Sequence, residues 1–177
     1  AKVHTITPEQ AVEGHFTGGT LAGYADLVLE RDSRSGADRA IIDMKWAGFK
    51  KYREKLAKNR HLQLALYAEL LRQKTGAWPA LAYFILDEAR LLASDDQMFA
   101  QARQVKPETD ETAAHLWQRF LASYAWRREQ LEAGRIEVAL EGIPENDDSA
   151  PPEEAIAPEY LNESYNDYLC LAGWENA

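Results

Sequence analysis

An apolar run, a helix and a second apolar run follow one another between residues 39 and 86, and that order constrains the fold more than anything else in the chain. Residues 39–46 (RAIIDMKW) and 80–86 (ALAYFIL) read as strands. Between them the pattern predicts a helix over about 59–75, with an earlier start and a stop before Gly76 and Pro79. Two strands joined through a helix pair in parallel, because only such a crossover returns the chain to the same end of a sheet. Upstream, residues 10–17 and 20–30 read as strands joined around Gly18-Gly19, a hairpin signal.

In the second strand, strict alternation puts Leu21, Gly23, Ala25, Leu27 and Leu29 on one face and Tyr24, Asp26 and Val28 on the other. The stretch DSRSGAD (32–38) has turn composition. LLAS (91–94) either extends the sheet or forms an edge. A long helix is expected over 111–133, stopped by Gly134, with Leu116, Phe120, Tyr124 and Leu131 at helical spacings.

Length and composition fit one domain of 177 residues, or one with a small appendage. The expected division is a core at 1–140, an acidic, proline-rich linker without a packing face at 141–159, and an aromatic-rich segment at 160–177 that docks back on the core. The start at Ala1 suggests a piece excised from something longer. One cysteine gives no internal disulfide framework and suits a reducing, cytoplasmic setting. No apolar run reaches the length of a membrane span.

The net charge of −9 argues against a polyanionic partner until its distribution is considered. Lys50, Lys51, Arg53, Lys55, Lys58 and Arg60 stand against Glu54 alone, so residues 50–60 carry +5 and the remainder −14. Screening confines electrostatics to about 10 Å, so a local basic patch can bind phosphates on an acidic protein. The run either neutralises phosphates or is a solvated face. Trp46, Phe49 and Tyr52 beside it either stack on unpaired bases or belong to the core.

The chemistry gathers on five positions. Asp26 and Asp43 interrupt strand-like runs, and Lys45, two residues beyond Asp43, points to the same face. Two carboxylates on neighbouring strands suit Mg²⁺ or Mn²⁺, which take hard oxygen ligands and keep several waters. Beside them Lys45 could orient an attacking water, help deprotonate it or offset charge on a phosphorane. The alternative is a structural ion pair at a sheet end. Gln63 and Tyr67, one helical turn apart, share a face and reach either this centre or the core. The four histidines show no ligand spacing, and no phosphate-cradling glycine loop or nucleophile elbow occurs.

These residues resemble the PD-(D/E)XK nuclease superfamily, and within it the RecB-like exonuclease branch, over about residues 10–87. GYAD with Asp26, IIDMK with Asp43 and Lys45, and QLALY with Gln63 and Tyr67 follow the branch's Gly-h-x-Asp, Asp-x-Lys and Gln-x-x-x-Tyr elements in order. The resemblance implies an α/β fold, a central mixed β-sheet flanked by helices, with a helical C-terminal part. It implies metal binding by Asp26 and Asp43, with the main-chain carbonyl of Met44 as a further ligand. Lys45 would be catalytic, and Gln63 and Tyr67 would support the site. The upstream acidic or histidine ligand of many members is not recognisable; Glu13 or His15 are the candidates for its place. Cys170 alone cannot hold the iron–sulfur cluster that some members carry. The expected activity is Mg²⁺- or Mn²⁺-dependent DNA cleavage, exonucleolytic, in recombination, repair or phage DNA processing alongside a helicase or another domain. The competing expectations are a non-catalytic DNA-binding or assembly module and a small-molecule hydrolase.

Overall fold

The computed structural model describes residues 3–33, 36–95, 97–135 and 151–156. They form two compact units, Ala1–Gln118 and Arg119–Ala177. The first holds a six-stranded sheet in the order β1-β2-β3-β4-β5-β6: β1 Val3–Phe16, β2 Gly19–Ser33, β3 Gly36–Lys45, β4 Ala80–Ile85, β5 Arg90–Ala93 and β6 Arg103–Gln104. β1–β2, β2–β3 and β4–β5 are antiparallel, whereas β3–β4 and β5–β6 are parallel. The sheet is thus mixed, as expected, and the predicted crossover lies between β3 and β4.

The hairpin closes at the Phe16↔Gly19 pair, and Gly19 adopts a φ of 131° that favours glycine. The crossover contains two helices where the sequence suggested one: α1 Phe49–Ala57 and α2 Leu62–Thr75. Asn59 separates them. It is left-handed at φ 50°, a conformation Asn tolerates, and its buried amide donates to the Thr112 carbonyl at 3.1 Å. Gly76, at φ 83°, ends α2 with its N–H on the Arg72 carbonyl.

Two apolar clusters cover opposite faces of the sheet. Ala25, Val28, Ile41, Tyr83 and Ile85 pack with Leu56, Leu64, Ala68 and Leu71 from α1 and α2. Ala40, Ile42, Ala82 and Ala93 pack with Phe99, with Leu27 and Leu29 at the margin. The expected alternation along β2 therefore fails. Ala25 joins the helix-side cluster and Leu27 the other, so the facing changes phase around Asp26. The β1 ladder runs from Pro8↔Leu27 to Gln10↔Ala25 with no pair at Asp26, and Glu9, opposite the gap, has φ 45°. A local ladder defect of this kind re-aims a side chain where a site needs it.

Side-chain bonds from α2 set its position on the hairpin. Gln73 accepts the His15 N–H at 2.9 Å and donates to the His15 carbonyl at 2.9 Å. Buried Glu69 holds Gln73 at 3.0 Å and receives Arg72 through two bonds at 2.7 and 2.8 Å.

Most of α3, Ala113–Glu132, belongs to the second unit; the helix begins near its expected place and Gly134 follows it at φ 75°. Residues 151–156 lack the open character expected of the linker. Arg119 donates to the Glu153 and Ala155 carbonyls, Ser123 Oγ accepts the Ile156 N–H at 2.8 Å, and Ala155 is buried. Side chains from α3 satisfy that backbone where solvent otherwise would. Residues 141–150 and 157–177, including Cys170 and the aromatic-rich segment, lie outside the described residues.

Candidate active site

The middle of β2 and the C-terminal end of β3 bring Asp26, Asp43 and Lys45 together. The β2–β3 ladder stops at Leu27↔Ile42, and continued by one step it sets Asp26 opposite Asp43. Beyond that stop the strands no longer bond backbone to backbone, and a side chain takes over: Asp26 Oδ2 accepts the Met44 N–H at 2.7 Å. This bond fixes Asp26 against the strand that carries Asp43 and Lys45.

Asp43 is 1% exposed, an unusual place for an ionised acid. Burial pushes its carboxyl above the usual range; Lys45 opposes the rise and the charge of Asp26 adds to it. Lys45 Nζ forms an ion pair with Asp43 Oδ2 at 2.7 Å. Neither Asp43 oxygen receives a hydrogen bond of ordinary geometry, so Oδ1 is left without a partner. Lys45 is itself partly buried. Burial opposes its charge, but the bond to Asp43, with Tyr52 and Asp26, lifts the ammonium above its usual range.

The α2 residues extend this arrangement. Lys45 Nζ donates to Gln63 Oε1 at 3.1 Å, and Gln63 Nε2 donates to Tyr67 Oη at 3.4 Å. A Cβ added at Gly23 would lie 3.0 Å from Tyr67 Cε1, so this glycine makes room for the ring three residues before Asp26. The five expected residues thus form one continuous assembly.

Tyr52, weighed in the sequence as a base-stacking or a core residue, and Tyr83, not singled out there, complete its wall. Lys45 Nζ lies 5.8 Å from the Tyr52 ring centroid, and the two tyrosine rings are 4.8 Å apart. Burial, with Asp43 and Tyr52, pushes the Tyr83 hydroxyl far up its range. The signal for Tyr83 was its register opposite Asp43 in the parallel ladder, which required knowing the pairing.

α1 presents Lys50, Lys51 and Arg53 exposed and Lys55 partly so, while Lys58 and Arg60 lie in the link to α2. Lys58 already pairs with Glu54 at 2.5 Å. Glu13 and His15 are exposed on β1. Among the described residues no group of three His, Cys, Asp or Glu forms.

A buried carboxylate whose Oδ1 has no partner, set against a second carboxylate, is a donor set that fits a hard divalent cation. Were an ion held there by these two carboxylates, its remaining coordination positions would fall to main-chain oxygen, water and substrate. Among the described residues no helix is long and apolar enough to cross a membrane. A search among curated proteins found no significant match. Residues 2–148 match the family model of the PD-(D/E)XK nuclease superfamily, whose members generally use divalent metals. The match spans most of the chain, includes every strand and contains all five residues of the assembly. Together with the mixed sheet, it shows that this chain belongs to the PD-(D/E)XK nuclease superfamily.

Proposed function

We propose that the chain is a Mg²⁺- or Mn²⁺-dependent DNA exonuclease of the RecB-like kind, with Asp26 and Asp43 as the metal-binding acids and Lys45 as the catalytic cation. The observation that carries the reading is the unbroken path of polar bonds from Asp43 through Lys45 and Gln63 to Tyr67, beside an Asp26 held on the Met44 amide. When bound, the ion would supply Lewis-acid chemistry, polarising the scissile phosphate and acidifying a water. Asp26 and Asp43 hold it from adjacent strands, with the Met44 carbonyl available beside them. Gln63 and Asp43 fix the Lys45 ammonium, so it meets charge growing on the phosphate without reorganising. Tyr67 holds the Gln63 amide in the orientation that accepts from Lys45. The cations of α1 draw the DNA backbone toward the site. The setting we infer is cytoplasmic recombination, repair or phage DNA processing, beside a helicase or another domain.

The test is release of nucleotides from end-labelled linear DNA with Mn²⁺, compared with closed-circular DNA of the same sequence. Cleavage of the linear form alone is the exonuclease result. Cutting of the circle turns the reading to an endonuclease. Metal-independent binding without cleavage of either supports a DNA-binding or assembly module.

A further inference from the structure

Lys45 ends β3, and the chain comes back to it at Tyr52, in the first turn of α1. Gly48 turns the chain into that helix with a φ of 103°, which favours glycine, and its carbonyl accepts the Tyr52 N–H at 3.1 Å. A Cβ at Gly48 would stand 3.3 Å from Tyr52 Cε2, so the turn packs closely on the ring. The ring also lies 4.8 Å from that of Tyr83, tilted by 49°. Tyr83 is itself buried and sits opposite Asp43 in the β3–β4 ladder. Two fixed neighbours, the glycine turn and the buried tyrosine, thus place the Tyr52 ring where Lys45 Nζ lies over it, 5.8 Å from its centroid. Lys51 Nζ approaches the same ring at 5.8 Å, but from an exposed side chain, where such contacts are weaker.

We infer that Tyr52 is a positioning residue for Lys45, its ring holding the ammonium where the transition state needs it. The inference rests on the nuclease reading and adds to that site a residue that acts through the lysine. Lysine carries its charge on a flexible four-carbon stem with three N–H donors. Asp43 engages the ammonium at 2.7 Å and Gln63 accepts from it at 3.1 Å. A carboxylate that also binds a dication attracts an ammonium less, so in the loaded site Lys45 depends more on Gln63 and on the ring. An aromatic face suits that task, because its quadrupole attracts a cation without taking up an N–H. The third donor then stays free for the phosphate. A catalytic group must be held within about 0.5 Å of its productive place, and one amide bond on a flexible stem does not secure that. The ring supplies the missing restraint.

The experiment keeps the shape of the ring and changes its charge distribution. In the full 177-residue chain, Tyr52 is replaced by Phe or by pentafluorophenylalanine, each with and without Lys45→Ala. Tyr52→Phe should retain most of the cleavage. The pentafluorinated ring, whose face no longer attracts a cation, should lower kcat by about 2- to 30-fold with KM unchanged, the range for loss of one cation–π contact. With Lys45→Ala present, the two rings should cleave alike. Equal losses with and without Lys45, or none in either, would overturn the inference, because packing alone does not couple to the lysine. Matching thermal unfolding of the two ring variants excludes folding as the cause. The contact is read without cleavage from the fluorine resonance of a para-fluorinated phenylalanine in place of Tyr52, which should move on Lys45→Ala. If no protein of the set cleaves, the nuclease reading falls, while a moved resonance keeps the hold of the ring on Lys45. An unmoved resonance removes that hold whatever the activity.

Discussion

Gly23 and Tyr67 pack closely: a Cβ on Gly23 would stand 3.0 Å from Tyr67 Cε1, tighter than an ordinary contact, and 3.5 Å from its hydroxyl. The glycine that precedes Asp26 on β2 and the tyrosine at the α2 end of the polar path are therefore one packing unit. Gly23→Ala should lower stability by about 1–3 kcal/mol, as overpacking does, and should reduce cleavage by displacing Tyr67 from Gln63. Tyr67→Leu should relieve the crowding, so the double variant loses less stability than the sum of the two singles. Denaturant titration of the four proteins measures the coupling. Additive losses would mean that the two residues act independently.

Glu69 gives a pH-dependent test of how α2 is held. Burial opposes its charge, but bonds from Arg72 and Gln73 hold its carboxyl below the ordinary value of 4.5. The folded state therefore binds fewer protons than the unfolded one. The stabilisation is full above about pH 4.5 and is lost as pH falls through the lower folded value. Glu69→Gln should lose about 1.5–3 kcal/mol at neutral pH, the range for hydrogen bonds to a charged group. Its stability should also fall less than that of wild type across the acid window. Parallel curves would show that Glu69 contributes no pH dependence.

Much of this architecture was legible in the residues. The hairpin glycines, the apolar runs and the strand–helix–strand order dictate the antiparallel and parallel pairings that were found. The spacing of Asp43 and Lys45, and of Gln63 and Tyr67, is a local periodicity, and such relations survive folding. What escaped the sequence depends on tertiary contacts. The break at Asn59 looks like continuous helix until Thr112 accepts its amide. The change of facing around Asp26 comes from the defect opposite Glu9 on another strand. Tyr83 meets Asp43 only through the β3–β4 register, and Glu69 was hidden among ordinary helix-surface charges.

The cations of the basic run are not equivalent. Lys50, Lys51 and Arg53 are exposed on α1, whereas Glu54 already neutralises Lys58. Replacing the first three by Gln should weaken DNA binding about equally across sequences. It should also flatten the slope of log K against log salt by roughly 0.7–0.9 for each phosphate that is no longer neutralised. Lys58→Gln should change the slope far less. Binding isotherms from low to moderate salt decide this, and an unchanged slope in the triple variant would make the run a solvated face.

The central claim is that Asp26 and Asp43 bind the metal while Lys45 acts on the transition state. The most direct measurement pairs cleavage of end-labelled single- and double-stranded DNA with Mn²⁺ binding, in wild type, Asp43→Asn and Lys45→Ala. Asp43→Asn should lose both, because its carboxylate is gone. Lys45→Ala removes a cation that competes for Asp43, so it should bind Mn²⁺ at least as tightly as wild type and should keep its DNA affinity. Its cleavage should nevertheless fall by roughly 10²-fold or more, the order seen when a positioned electrostatic group is deleted. Cleavage by Lys45→Ala at near the wild-type rate, with contaminating nuclease excluded, would contradict the account.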